Sequence, residues 1–495
     1  MESKKCAVIG SGLGGLAVAI RLAVRGISVD LFEKNSYPGG KASQIKENCF
    51  RFDAGPSVLT MPFVLEDLFK CANENINNYL DLNRLKINCK YFYDDKTVIN
   101  AYSDQNDFIN ELNIKTSEKE ENIRRFFNQT KKIYELTAPI FLFNKLWKPK
   151  EIFNANTLKK FLRLDKIDLT RTMHESISKY LSDERVIKLF DRYATYNGSN
   201  PYTAPSILNV ISYVENGLGA YIPDKGINSI TEALYNLALK LNIKFNFGYE
   251  VKKINTSNRK VIGLKVNGKN LDYDFVISNA DIRFTYEKLL NIPKVNSKNK
   301  FKNIELSSSA IVFYWGVKGK YKDLEIHNIF FSNNYQKEFD DIFNKKIIPE
   351  DPTIYVYISS KFNKTDAPEG YENWFVMVNA PYNSDQNWEA ELKALKCKIL
   401  KKINEYLGTD INYKIVFEKT LTPRDIEDKT NSYNGSIYGT SSNSKYSAFF
   451  RHQNKSKNIK GLYFTGGSVH PGGGIPLVLL SAKNASELIS KYELN

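Results

Sequence analysis

Histidine and cysteine are both scarce in this chain. Four histidines occur among 495 residues, none in an HxH or HExxH spacing, so the sequence offers no protein-ligated metal centre. The five cysteines (Cys6, Cys49, Cys71, Cys89 and Cys397) are odd in number and scattered, without a CxxC pair. That pattern argues against a disulfide framework or a zinc site and fits a reducing compartment. Long apolar runs are missing as well: nothing approaches the ~18 residues that a spanning helix needs. The opening MESKKCAVIGSGLGGLAVAIRLA imitates a secretion signal, but four glycines interrupt its apolar part and a charged segment follows. Acidic residues are outnumbered, 55 Asp and Glu against 70 Lys and Arg, for a net charge of +15. Such a balance suits nucleic acid or an anionic membrane. There is no long basic run and no RNP-like or helix-turn-helix pattern, so nucleic acid is set aside and a membrane surface is kept. The expected location is the cytoplasm, with peripheral attachment to the inner membrane. No repeat of 20–50 residues is visible, and the length allows two or three lobes around a large core.

Glycine, by contrast, is concentrated where it carries chemistry. Residues 6–33 read CAVIGSGLGGLAVAIRLAVRGISVDLFE. The apolar Cys6–Ile9 predicts a strand, Gly10-x-Gly12-x-x-Gly15 a tight turn, and the run through Ile20, Leu22 and Ala23 a helix stopping at Gly26. A second strand, Ser28–Phe32, then ends on Glu33. Gly10 permits the turn, Gly12 lets backbone approach a pyrophosphate, and Gly15 with Ala19 brings helix and strand together. The helix N-terminus, with Leu13 and Gly14, presents free N–H groups to a diphosphate. Glu33, followed by Lys34, suits ribose hydroxyls, and an acidic residue there disfavours a 2′-phosphate. The ligand class is FAD or NAD.

Further along stand Pro38-Gly39-Gly40-Lys41 and Phe52-Asp53-Ala54-Gly55-Pro56-Ser57. These two stretches resemble the amine-oxidase-like flavoprotein superfamily, in which this region lies against FAD. The resemblance implies that Gly40 and Lys41 approach the diphosphate side and that Gly55, Pro56 and Ser57 lie near the flavin. It also implies that the strand around Val251 contacts the adenine, and that Asn279, in DFVISNAD, sits at the cofactor edge of the sheet.

Residues 100–200 read as helical and charged. Within them Ala138–Lys148 sets Phe141, Phe143 and Trp147 beside lysines, which suits either a membrane boundary or an ordinary packed helix. The strand-like SSSAIVFYWGV, PTIYVYISS and NWFVMVNAP are rich in aromatics and could floor an apolar cavity. The densest glycine loop is GGSVHPGGGIPLVLLSA, Gly466 to Ala482. A strand runs into Gly466 and Gly467. After Gly472–Gly474, Ile475-Pro476 opens a helix whose N-terminus suits the charge that gathers on a reduced flavin. His470 is the one candidate base; a turn-orienting role before Pro471 is the competing reading.

GSGLGGLAVAIRL, EKNSYPGGK, FDAGPS, TPRDIEDKTNSYNGS, FFRHQN and GGSVHPGGGIPLVLLSAK together closely resemble the phytoene desaturase family of carotenoid desaturases over nearly the whole chain. FDAGPSVLTMP and the C-terminal loop look more like its 1-hydroxycarotenoid 3,4-desaturase branch. The resemblance implies an α/β, amine-oxidase-like FAD-binding Rossmann fold, discontinuous in sequence. Residues 1–75, 215–288 and 440–495 would form the FAD domain, 76–100 and 289–439 a mixed-sheet substrate domain, and 101–214 a helical lobe touching the membrane. It further implies removal of a hydride and a proton from a hydrophobic carotenoid inside a dry tunnel, with quinone or oxygen as the terminal acceptor. Rival functions are phytoene desaturation, flavin-dependent isomerisation, amine oxidation, and binding of lipidated partners without catalysis.

Overall fold

The computed structural model describes residues 4–143, 168, 170–290, 301, 304–384, 386–444 and 451–494. Two sheets organise the chain. The first is parallel, in the order Lys244–Phe247, Ser28–Glu33, Lys5–Ile9, Phe275–Ser278 and Leu462–Phe464. Its inner strands are buried on both faces, as parallel strands are, and the edge strand Lys244–Phe247 is partly exposed. The helix Leu13–Ala23 covers one face and packs against Ile475–Ile489, so segments from opposite ends of the chain form one layer. Leu479, Leu480, Ala482 and Ala485 of the later helix are buried in the same cluster as Leu16, Ile20 and Leu22 of the earlier one. Each buried leucine contributes ~1.5–3 kcal/mol at most.

The second sheet has seven strands, in the order Ile415–Leu421, Ser309–Lys318, Tyr371–Ala380, Ile354–Tyr357, His327–Phe330, Ile87–Phe92 and Val98–Tyr102. It is mixed: His327–Phe330 runs parallel to Ile87–Phe92, and the other pairs are antiparallel. Period-two alternation divides its side chains. Ile311, Phe313, Trp315, Trp374, Val376 and Val378 share a core with the helix Trp388–Leu407. Their neighbours face the other way. Val312 pairs with Met377, Tyr314 with Phe375, and Tyr355 with Met377 across the opposite face. Helices Gln105–Lys115, Glu120–Thr137, Met173–Ser178, Glu184–Asp191 and Val210–Asn216 form a third cluster beside that sheet.

The strand around Val251 is shorter than the alternating sequence that surrounds it. KFNFGYEVKKI is two strands, because the backbone breaks at Gly248, with φ +73°, before Val251. Lys244–Phe247 joins the parallel sheet, while Val251–Ser257 begins a separate antiparallel one with Lys260–Val266 and Lys269–Asp272. Among the described residues no helix is long and apolar enough to cross a membrane. Trp147, Lys145 and Lys148 of the expected membrane segment lie outside the described residues, as do Phe449 and Phe450 of FFRHQN.

Candidate functional site

All the glycine loops gather at the carboxyl edge of the parallel sheet, where open α/β sheets bind their ligands. Gly10 N donates to Phe32 O (2.8 Å), and Asn279 N donates to Ile9 O (2.8 Å), so three neighbouring strands hand their ends to one another. Asn279 is the joint between the two ends of the chain. Its Nδ2 donates to Gly10 O (3.3 Å), while its Oδ1 would lie 2.6 Å from a Cβ on Gly14 and 2.8 Å from one on Gly466. A Cβ at Gly15 would stand 2.0 Å from Gly10 O, a separation no side chain tolerates.

Two helix N-termini open into this place. Leu13–Ala23 starts after Gly12 and Ile475–Ile489 after Gly474; neither has a side-chain cap or an acidic residue in its first turn. The first N–H groups of each lack an intrahelical acceptor and carry the positive end of the helix dipole. A Cβ on Gly474, with φ +103°, would meet nothing within 4 Å and would project into open space. Two uncapped positive ends and a side-chain-free wall are what an anionic, flat-ringed dinucleotide requires.

Glu33 ends its strand with both carboxylate oxygens occupied. Oε2 accepts from Ser11 N (2.8 Å) and Ser11 Oγ (2.9 Å), and Oε1 from Asn35 N (2.9 Å) and Nδ2 (2.8 Å). A ribose diol must therefore displace the Ser11 hydroxyl or the Asn35 amide to reach it. Lys34 Nζ donates to Asp428 O (2.5 Å) and Asn431 Oδ1 (2.8 Å), closing this end against the last turn of helix Pro423–Thr430. Burial lowers its pKa. Lys41 Nζ donates to Ile437 O (2.6 Å), and the Asp281 carboxylate acts on its charge. Burial takes its pKa down to about 8. Gly55 packs on the same segment, where its Cβ would stand 2.1 Å from Lys41 O. Ser57 Oγ and Tyr355 hydroxyl are 2.6 Å apart, which ties the Gly55-Pro56-Ser57 turn to the seven-stranded sheet. Val251, Gly40, Gly467, Ile475 and Pro476 all line the same cavity.

His470 faces that cavity too. Its main-chain N–H donates to His452 O (2.9 Å), and its carbonyl accepts from Asn454 Nδ2 (2.9 Å). Burial, with the neighbouring Arg451 charge, lowers the imidazole pKa to about 4. The ring is neutral at physiological pH and a weak proton acceptor.

Arg451 was not singled out by its sequence context. Its Nη1 donates to Tyr438 O (2.9 Å) and Gly467 O (3.2 Å), and burial lowers its pKa to about 10. It holds the Tyr438 segment to the glycine loop and adds positive charge beside the second helix N-terminus. Asp281, Tyr438 and the Thr422–Ser436 stretch were also unassigned. Thr422 caps helix Pro423–Thr430 with Asp425, and Asn431 ends it with φ +54°, turning Ser432 and Ile437 into the cavity.

The cavity itself encloses about 710 Å³ and continues from these loops across the free face of the seven-stranded sheet. Val312, Tyr314, Phe375 and Met377 form that floor, and Leu208, Ile211 and Val214 form the roof. Phe141 and Leu142 line it beside Phe63 and Phe143, which are each 41% exposed with ring centroids 6.1 Å apart.

A family model described as flavin containing amine oxidoreductase matches residues 13–490. The chain belongs to that family. Membership gives the chain a flavin cofactor, FAD. The chain is 43% identical over 98% of its length, and 99% of the relative's, to a 1-hydroxycarotenoid 3,4-desaturase of Flavobacterium sp. (strain P99-3). It is 32% identical to a 4,4'-diaponeurosporene oxygenase of Staphylococcus haemolyticus (strain JCSC1435), covering all of this chain and 98% of the other. Among solved structures, an oxidoreductase from Methanosarcina mazei superposes with TM-score 0.66 at 17% identity, covering 98% of this chain and 100% of that one. A putrescine oxidase bound to putrescine gives 0.65 at 12% identity, with 99% of each chain covered. These likenesses show that the fold is shared.

Proposed function

We propose that the protein is an FAD-dependent carotenoid desaturase, and that its reaction is 3,4-desaturation of an acyclic 1-hydroxycarotenoid. The observation that carries this reading is the single cavity joining the dinucleotide loops to the apolar face of the seven-stranded sheet, in a chain 43% identical to a protein named for that activity. Bound FAD supplies a hydride acceptor. Gly10, Gly12, Leu13, Gly14, Gly15 and Glu33 would hold its adenosine and diphosphate, and Gly466, Gly467, Gly474, Ile475 and Pro476 would hold its ring.

The remaining work falls to the chain. Val312, Tyr314, Phe375 and Met377 keep water from the polyene, so a cation developing along it is spread over conjugated carbon instead of being trapped. Positioning an allylic C–H against the ring carries the rate, and the weakly basic His470 agrees with little acid–base machinery. The exposed Phe63–Phe143 pair beside Phe141 and Leu142 suits a mouth that takes substrate from a bilayer, and the net charge of +15 suits an anionic surface. Quinone or oxygen would receive the electrons.

The deciding experiment is expression in pigment-making cells supplied with phytoene or with a 1-hydroxylated carotene. A product two hydrogens lighter, with absorption moved to longer wavelength, supports desaturation, and the feed that yields it names the branch. Added oxygen would favour an oxygenase like the staphylococcal relatives. Unchanged mass would favour an isomerase, and turnover of amines alone would end the reading.

A further inference from the structure

The floor of the cavity is apolar, but part of its wall is not. Asn88, His327 and Tyr335 all line it, each is 3% exposed, and each holds polar atoms without a partner. Those atoms are both amide atoms of Asn88, Nε2 of His327 and the hydroxyl of Tyr335. Leaving a buried polar group unmade is costly, so three around one cavity need an explanation. They come from separate elements: the strand Ile87–Phe92, the strand His327–Phe330, and the first residue of helix Tyr335–Asp340. Arg192 lines the same cavity, and its charge acts on both His327 and Tyr335. Arg192 is itself neutralised by Glu215 (3.3 Å) and enclosed by the rings of Tyr91, Tyr193 and Tyr196 at 4.5–5.4 Å. The group is joined to the turn expected beside the flavin through Ser57, Tyr355 and His327, in hydrogen bonds of 2.6 and 2.7 Å.

We propose that this polar wall is an alcohol-binding subsite: His327 Nε2, with Asn88 and Tyr335, receives a hydroxyl on the end of the substrate and thereby sets which C–H bond meets the flavin. The proposal rests on the desaturase reading above. A hydroxyl is the function the geometry favours. His327 stacks on Tyr357 (5.0 Å, 12°) and is fixed at Nδ1 by the Tyr355 hydroxyl, so Nε2 points one way. If Nδ1 accepts from Tyr355, Nε2 is a donor; if Nδ1 donates, Nε2 is an acceptor. An alcohol answers either tautomer, whereas an ether or ketone answers one and a hydrocarbon end neither. Asn88 and Tyr335 offer the complementary second bond. The short link to Ser57 places the subsite close enough to the flavin turn for a terminal hydroxyl to fix the register of carbons only a few bonds away.

Holoenzyme variants Tyr335→Phe, Asn88→Leu and His327→Phe, with His327→Gln as the conservative partner, provide the test. Each is assayed with a 1-hydroxylated acyclic carotene and with its deoxy analogue of the same skeleton. The wild type should favour the alcohol in kcat/KM by at least ~30-fold, and each variant should cut that preference by about tenfold, with His327→Gln recovering part of it. The loss should appear in KM for the alcohol, with flavin content unchanged. The position of the new double bond should also scatter once the anchor is gone. Equal kcat/KM for alcohol and deoxy substrate in the wild type, or an unchanged ratio in Tyr335→Phe with full flavin content, overturns the subsite while leaving desaturation standing. A wild type that desaturates neither substrate overturns the desaturase reading itself.

Discussion

A Cβ at Gly12 would stand 3.0 Å from Asn279 Nδ2, so a branched side chain there must dislodge the residue that joins both ends of the site. Gly12→Leu is expected to purify without yellow colour, its absorbance near 450 nm falling more than tenfold per protein; a fully loaded variant would refute the diphosphate assignment. His470 calls for a different measurement. With its pKa at about 4, it should leave no inflection in kcat/KM between pH 5 and 8. His470→Ala should lose flavin affinity and turnover together, because the ring stands beside the loop that Arg451 braces. Normal flavin content with a rate down a hundredfold would make it a base. At this scale the sequence told its story unevenly. Gly10, Gly15 and Gly466 were legible because their chemistry is local to a strand–turn–helix pattern. Asn88, His327 and Tyr335 were not, because nothing in the flanking residues of any one shows that two strands and the start of a helix bring all three to one cavity wall.

Among the elements, helix Ile475–Ile489 bears most directly on the chemistry. Its uncapped N-terminus and the open space at Gly474 are a place where charge can be added without filling the core. Gly474→Asn and Gly474→Asp differ by one negative charge and carry the same backbone strain, since φ +103° with ψ 147° is a conformation that only glycine adopts readily, so the comparison between them isolates the charge. The aspartate should slow anaerobic flavin reduction by substrate at least threefold relative to the asparagine, since it opposes the helix dipole. Equal rates would separate that N-terminus from the reacting ring. Both helices that frame the glycine loops could be read from their apolar runs and from the glycine and proline that bound them. The division at Gly248 could not, since KFNF and VKKI alternate alike and only the turn decides which sheet each joins.

For the molecule as a whole, burial of neutral histidine makes stability depend on pH in a known direction. His327 is held neutral by burial and by Arg192, its pKa lowered to about 3 from an ordinary 6.5. Above 6.5 the group contributes no slope. As pH falls from 6.5 toward 3, the unfolded chain takes a proton that the folded one refuses, and stability drops by roughly 1.4 kcal/mol per unit. Denaturant unfolding at pH 7 and 5 should therefore show a smaller loss in His327→Phe than in the wild type, by about 2 kcal/mol; parallel losses would contradict it. Changing Phe63 and Phe143 to serine should move protein from anionic liposomes to supernatant, and unaltered sedimentation would remove the proposed mouth from the bilayer. The contact of Gly14 and Gly466 around Asn279 has a consequence in time. More than four hundred residues are made between the two loops, so the pocket for the coenzyme stays half-built for most of translation, ~20–90 s at ordinary ribosome speeds. Nascent chains arrested before Gly466 should emerge colourless, and pigment-binding competence should arrive abruptly as the closing helix clears the ribosome.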